Sequence, residues 1–134
     1  MALSLAQVLS QSAAAEVPVK VKENFSKKFP TAKLVEWKLD DEVYVVTFTV
    51  DEVVKESVFE KSGKWTETKS ILTVKILSEE TMKEIAKKLP QSTLEDVTFI
   101  EQPGKKTYEV GVVTKEDSYV IVVLNDKGKI LEVN

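Results

Sequence analysis

Two segments of the chain, residues 17–30 and 77–90, share a helical pattern of apolar residues and the same ending. Phe25 in the first segment and Ile85 in the second occupy matching positions, sixty residues apart. Each segment then has a lysine pair, an apolar residue and a proline. Cations stabilise the C-terminal end of a helix and proline stops it, so this ending favours a helix. The pattern predicts one helix in each half of an internal repeat.

After each predicted helix, apolar residues recur at every second position, which is the period of a half-buried strand. Residues 43–50 and 107–113 show this alternation most clearly. Each half then ends in a hairpin whose turn has a glycine, Gly63 or Gly128, where a positive φ is favourable. The layout predicts an α+β fold made of two tandem repeats, each with one helix followed by about four antiparallel strands.

The repeat also sets the expected domain organisation. Residues 17–76 form the first repeat and residues 77–134 the second, and we expect the two to form one structural unit. Residues 1–16 differ in composition from the rest of the chain, because they have no lysine and end in three alanines before Glu16. Such an ending is typical of a secretory signal cleavage region, but the apolar spacing also fits an extra helix, and an added leader is a third interpretation. No segment is long and apolar enough to predict a membrane span.

The residue types that the chain lacks exclude several kinds of chemistry. Its 134 residues include no Cys and no His, and all 19 basic residues are Lys. A thiol nucleophile, a Ser-His-Asp triad and a Cys/His zinc site are therefore excluded. The formal net charge of −3 argues against a nucleic-acid-binding protein, which usually has a basic surface. We predict a protein that is not an enzyme and uses no cofactor.

Neighbouring charged residues recur along the chain without the spacing of a known site. The acidic pairs fall at predicted turns and at one helix start; they are Asp40-Asp41, Glu79-Glu80 and Glu116-Asp117. None belongs to an Asp-x-Asp-x-Asp-Gly calcium loop. The lysine pairs fall at helix ends and in one turn, where they are most simply solvated. We therefore predict no catalytic residue and no metal site.

A series of short motifs runs through the first repeat. They are Val17-Pro18, Phe25, Phe29-Pro30, Ala32-Lys33, Glu36-Trp37, the strand from Tyr44 to Phe48, and Gly63-Lys64-Trp65. This series resembles the PepSY-like family, also described as β-lactamase-inhibitor-protein-like. The resemblance covers roughly residues 17–134 and is weaker in the second repeat, where it includes Leu89-Pro90 and the turn 126–129.

The resemblance implies a continuous curved antiparallel sheet with helices packed on one face, and no known catalytic residues. It also implies a bacterial protein exported to the periplasm or secreted. The cytoplasm is the alternative, because the sequence as given has no complete signal peptide.

Apolar residues on both faces of two predicted strands indicate a binding surface. One helix layer covers one face of a sheet, so the other face should alternate to polar residues. Val43 and Val45 in one strand, and Val120 and Val122 in another, are apolar at positions that we expect to point away from the helices. We predict that a partner covers this face, with Trp65 as its anchor, because Trp is frequent at binding hot spots. The alternative is that β-branched residues simply favour central strands.

These observations predict a non-enzymatic protein-binding module, inhibitor-like by resemblance, that uses the open face of the sheet. The inhibitor label rests on fold analogy, which does not fix function, so we name no target. The alternative is a structural or assembly protein whose sheet face closes a homodimer. The expected partner is thus another protein or a second copy of the chain.

Overall fold

The computed structural model describes residues 16–134 and confirms the α+β class, with two helices and eight strands of antiparallel sheet. The chain divides into two compact units, one reaching to Thr68 and the other running from Lys69 to Asn134. The elements in chain order are α1 (Val19–Lys28), β1 (Lys33–Asp40), β2 (Val43–Val50), β3 (Val53–Glu60), β4 (Trp65–Leu72), a 3-10 turn (Val74–Ile76), α2 (Glu79–Lys88), β5 (Thr93–Gln102), β6 (Lys105–Val113), β7 (Tyr119–Asn125) and β8 (Ile130–Val133).

The predictions made for residues 1–15 lie outside the described residues. Within residues 16–134, neither helix is long and apolar enough to cross a membrane.

Both helices begin and end at residues that favour a helix terminus. At the start of α2 the Ser78 hydroxyl accepts a hydrogen bond from the backbone N–H of Thr81, which satisfies one of the free donors of the first turn. Pro18 precedes α1, where its missing N–H costs nothing. A lysine pair occupies the last turn of each helix, where its charges face the negative end of the helix dipole.

The core of the first unit lies between α1 and one face of its strands. Its buried residues are Val17, Val21, Phe25, Tyr44, Val46, Phe48 and Phe59. Phe25 on α1 is at the centre, with its ring centroid 5.0 Å from that of Phe48 and 5.2 Å from that of Trp37. Because side chains alternate along a strand, the residues between the buried ones on β2 point to the opposite face.

The core of the second unit is built in the same way, with Ile85 on α2 in place of Phe25. Its buried residues are Leu77, Ile85, Val97, Val110, Val112, Val122 and Leu124. On β7 the core residues are therefore the even-numbered ones, and the odd-numbered ones point away from α2.

A side chain of each helix is hydrogen-bonded to the turn of the hairpin that follows it last in the sequence, β3–β4 for α1 and β7–β8 for α2. The amide Nδ2 of Asn24 donates to the carbonyl oxygen of Gly63 over 2.8 Å. In the second unit the Thr81 hydroxyl donates to the carbonyl oxygen of Gly128 over 2.9 Å. Both glycines have a positive φ and lie against the helix, so these bonds hold helix and hairpin together within each unit.

Candidate functional site

Val43 and Val45 on β2 point to the face opposite α1. They alternate with Tyr44 and Val46, which are buried in the core of the first unit, and both are themselves partly exposed. Val45 is paired with Val58 of β3, which is also partly exposed. This face of the first unit therefore has a small group of neighbouring valines, which we call the valine patch (Val43, Val45 and Val58).

Trp65 does not lie on the face with the valine patch, so that part of the prediction is wrong. Its side chain packs against the core of the first unit, on the side of α1. The indole Nε1 donates to the Thr68 hydroxyl over 2.7 Å, and the Lys28 Nζ lies 3.7 Å from the ring centroid. The cause is the preceding turn, because Gly63 lies against α1 and strand β4 therefore begins beside the helix.

The predicted outward orientation of Val120 and Val122 is also wrong. Val122 is 1% exposed and belongs to the core of the second unit, and Val120 packs against that core. The strand register explains this placement, because Val122 is paired with the buried Val110, and paired residues share a face. The residues of β7 that point away from α2 include Ile121 and Val123, both partly exposed.

An exposed aromatic residue that sequence reasoning missed lies on this face of the second unit. Tyr119, at the start of β7, is 56% exposed. Its phenol lies over Gly111 of β6, and its hydroxyl donates to the Asp96 carboxylate of β5, 3.3 Å from Oδ1 and 3.4 Å from Oδ2. A Cβ at position 111 would clash with the Tyr119 hydroxyl oxygen, so only glycine leaves room for this arrangement.

Three carboxylates affect the pKa of this phenol. Desolvation against the sheet raises the pKa of Tyr119 above its ordinary value of 10.0, and the negative charges of Asp96, Glu95 and Glu109 raise it further. Deprotonation of Tyr119 would add a further negative charge to this group. Around neutral pH the residue is therefore a neutral phenol that keeps its hydrogen bond to Asp96.

We expect Asp96→Asn to lower the pKa of Tyr119 toward 10.0, because the amide oxygen can still accept the hydrogen bond but the negative charge is gone. A pH titration of the Tyr119 ring signals by NMR measures this pKa in the wild type and in the variant. Because the pKa of Tyr119 is higher in the folded state than in the unfolded state, the folded state binds the phenol proton more tightly. The stability that this difference contributes is present below pH 10.0 and is lost as the pH rises through the folded-state pKa. An unchanged pKa in the variant would show that Asp96 does not act on the phenol.

No metal site is found among residues 16–134, where no three acidic side chains are placed to hold an ion. A groove of about 510 Å³ in the second unit lies between the start of α2 and the β7–β8 turn. It is lined by charges of both signs, including Glu80, Glu84, Lys127 and Lys129. Its mixed lining does not favour one class of ligand.

Solved structures with the same fold come from several Bacteroides species. A BLIP-like protein from Bacteroides fragilis has a TM-score of 0.77 at 19% identity, covering 87% of this chain and 84% of its own. A DUF2874 family protein from Bacteroides ovatus has a TM-score of 0.75 at 23% identity, covering 87% and 86%. A protein described as "putative periplasmic" from Bacteroides eggerthii has a TM-score of 0.75 at 18% identity, covering 88% of each chain. At these identities the likeness establishes the fold.

The family comparison agrees with the resemblance found in the sequence. No curated protein sequence matches the chain. The model of one family, described as "Putative beta-lactamase-inhibitor-like, PepSY-like", matches residues 9–57 and again residues 42–132. Neither this description nor those of the three solved structures names an enzymatic activity. Since the two matches together cover most of its length, the chain belongs to the PepSY-like family.

Proposed function

We propose that the protein is a non-enzymatic binding module that contacts a partner protein through the sheet face opposite its helices. The observation that carries the proposal is the valine patch. Val43, Val45 and Val58 are apolar and partly exposed, and in the described part of the first unit the only helix, α1, packs on the other face. Apolar residues grouped on an otherwise exposed face are typical of interaction surfaces.

The family supports this class of function. Its description is inhibitor-like, and one structure with the same fold is a BLIP-like protein, so a protein is the kind of ligand that the comparisons favour. Because a fold does not fix a function, we extend this support to protein binding and to no particular target. The solved structure described as "putative periplasmic" also supports our proposal that the protein acts in the periplasm or outside the cell.

We also infer that the two halves are tandem repeats of one helix and four strands, as the motifs sixty residues apart predict. The element order, with α1 before β1–β4 and α2 before β5–β8, supports this inference. A repeated unit would offer an open sheet face of its own in each half. The face of the second unit then becomes a second candidate surface, with Ile121 and Val123 in place of Val120 and Val122.

The second candidate function is self-association, in which the valine patch closes a homodimer. The same apolar face supports it, because a second copy could cover the face as well as a foreign partner could. Light scattering of the purified protein over a range of concentrations separates the two. A mass that stays monomeric favours a foreign partner, and a mass that doubles with concentration favours the dimer.

We expect Val45→Lys to abolish capture of the partner, because it places a charge in the middle of the valine patch. Wild-type and variant proteins are immobilised and exposed to an extract of the native organism, and the retained proteins are identified by mass spectrometry. Val45 is partly exposed, so the introduced ammonium group can reach water and the fold should persist.

The matched control is Val19→Lys, which makes the same substitution on α1, at a side chain that is 72% exposed. A protein retained by the wild type and by Val19→Lys, but not by Val45→Lys, is the expected result. Equal retention by all three forms, with circular dichroism showing Val45→Lys folded, would remove the valine patch from the binding surface.

A further inference from the structure

Tyr119 is an aromatic side chain that is exposed and yet held in one position. Its ring lies across Gly111, and its hydroxyl is bonded to the Asp96 carboxylate, so β5, β6 and β7 all take part in placing it. A side chain that is already ordered loses little conformational entropy when a ligand covers it. Rigid, exposed tyrosines are for this reason effective contact residues in binding proteins.

The charges on this sheet face have one sign near the ring. Asp96 is paired with Gly111, beneath the ring, and Glu109 lies two residues before Gly111 on the same face of β6. Glu132 of β8 is paired with Val123 on that face. Strands β5, β7 and β8 contain no lysine, and the lysines of β6, Lys105 and Lys106, lie at its opposite end. Lys115 lies in the β6–β7 turn, followed by Glu116 and Asp117, and the charges that act on the Tyr119 phenol are all carboxylates. The face around Tyr119 is therefore acidic, although 19 lysines are spread over the chain.

An aromatic ring among carboxylates is complementary to an organic cation. The face of an aromatic ring attracts the charge of an ammonium or guanidinium group, and nearby carboxylates pair with the same charge. Ile121, next along this face, offers apolar surface for the methylene stem of such a side chain. An acidic or phosphorylated segment would be repelled here. The carboxylates near the ring are not gathered as metal ligands, since no three acidic groups in residues 16–134 could hold an ion.

We propose that the sheet face of the second unit binds a basic side chain, arginine or lysine, presented by a partner polypeptide, with its charge against Tyr119 and Asp96. The proposal rests on the proposed function in one respect, namely that the ligand of the protein is another protein. It adds the chemistry of the partner surface and a contact residue in the second unit.

The test uses the full chain and an acetylated peptide amide, Ala-Val-Arg-Val-Ala, with a twin in which citrulline replaces arginine. Citrulline has nearly the same shape as arginine but no charge. Titration followed by NMR is expected to shift the Gly111 amide signal and the Tyr119 ring signals to saturation with the arginine peptide. The citrulline peptide is expected to bind about fivefold more weakly, as for loss of one cation–π and ion-pair contact.

Three variants locate the binding. Tyr119→Leu, which removes the ring, and Asp96→Asn, which keeps a hydrogen-bond acceptor for Tyr119, are each expected to weaken arginine-peptide binding by about fivefold. Glu84→Gln removes one negative charge from the exposed surface of α2 and is expected to leave binding unchanged. A substitution at Gly111 would displace the Tyr119 ring itself, so it could not separate the roles of the ring and of Asp96.

Several results would overturn the proposal. They are equal binding of the two peptides, no saturable shift at Gly111 or Tyr119, shifts confined to α2 or the β7–β8 turn, and equal weakening by Glu84→Gln and Asp96→Asn. The outcome is independent of the valine patch. If the peptide fails to bind near Tyr119 while Val45→Lys still abolishes partner capture, this inference fails and the proposed function stands. If the peptide binds as expected while Val45→Lys retains the partner, the proposed role of the valine patch fails and this inference stands.

Discussion

Replacing Phe25 by alanine is expected to lower the free energy of unfolding by about 3–5 kcal/mol, the range for removing a large aromatic side chain from a packed core. Phe25 is 5% exposed and is the aromatic residue of α1 that packs in the core of the first unit. Its ring packs edge to face against Trp37, Phe48 and Phe59 at centroid distances of 5.2, 5.0 and 6.3 Å. The rigid strands beneath can collapse only partly into the space that the ring leaves, so a cavity remains.

Urea denaturation followed by tryptophan fluorescence measures this loss, because Trp37 and Trp65 both pack against the same core. Val19→Ala is the matched control on α1. Val19 is 72% exposed, so its truncation should change the free energy of unfolding by no more than about 0.5 kcal/mol. A loss below about 1 kcal/mol for Phe25→Ala would mean that α1 does not hold this core together.

Gly63→Ala is expected to lower the free energy of unfolding by about 2–4 kcal/mol, from backbone strain and a steric clash together. Gly63 has a φ of 96°, in the left-handed region that a Cβ disfavours. The new Cβ would lie 2.7 Å from the Lys20 Cγ and 2.8 Å from the Asn24 Nδ2. Moving Asn24 aside breaks its hydrogen bond to the Gly63 carbonyl oxygen, so the connection between α1 and the hairpin is lost as well.

Gly104→Ala separates the two causes. Gly104 has a φ of 72°, and nothing lies within 4 Å of the position that its Cβ would take. It should therefore show the backbone strain alone, about 1 kcal/mol. Urea denaturation followed by circular dichroism compares the two variants under the same conditions. Equal losses would show that the contact between Gly63 and α1 contributes nothing to stability.

The sequence predicts the elements of the fold well because its local signals agree with one another. The lysine pair and proline after Phe25 and after Ile85 mark the helix ends, and strict alternation from Tyr44 to Phe48 identifies one face of β2 as core. The same alternation correctly places Val43 and Val45 on the opposite face. Here pattern and tertiary packing point to the same arrangement.

Two errors arise where the pattern leaves the face undetermined. All residues from Tyr119 to Leu124 are apolar or aromatic, so a period of two cannot tell which of them face α2. The pairing of Val122 with the buried Val110 determines that Val122 faces α2, and this pairing depends on the register between β6 and β7. Trp65 follows a turn, and its face is decided by the approach of Gly63 to α1, which is a contact between residues distant in sequence.

The arrangement of Tyr119, Gly111 and Asp96 could be found from sequence only in part. A glycine inside an apolar strand often marks a place where another group comes close, and Gly111 is such a residue. The identity of the approaching group was not accessible, because Asp96 and Tyr119 lie on different strands on either side of Gly111. Only the register of β5, β6 and β7 brings the three residues together.

Site-specific photo-crosslinking in the native organism tests directly whether the sheet face opposite α1 contacts a partner protein. A photoreactive amino acid is placed at position 45, in the valine patch, or at position 19, on the exposed surface of α1. We expect position 45 to yield a crosslinked product with another protein and position 19 to yield none. A product formed only from position 19, or none from position 45 in folded protein, would contradict this expectation.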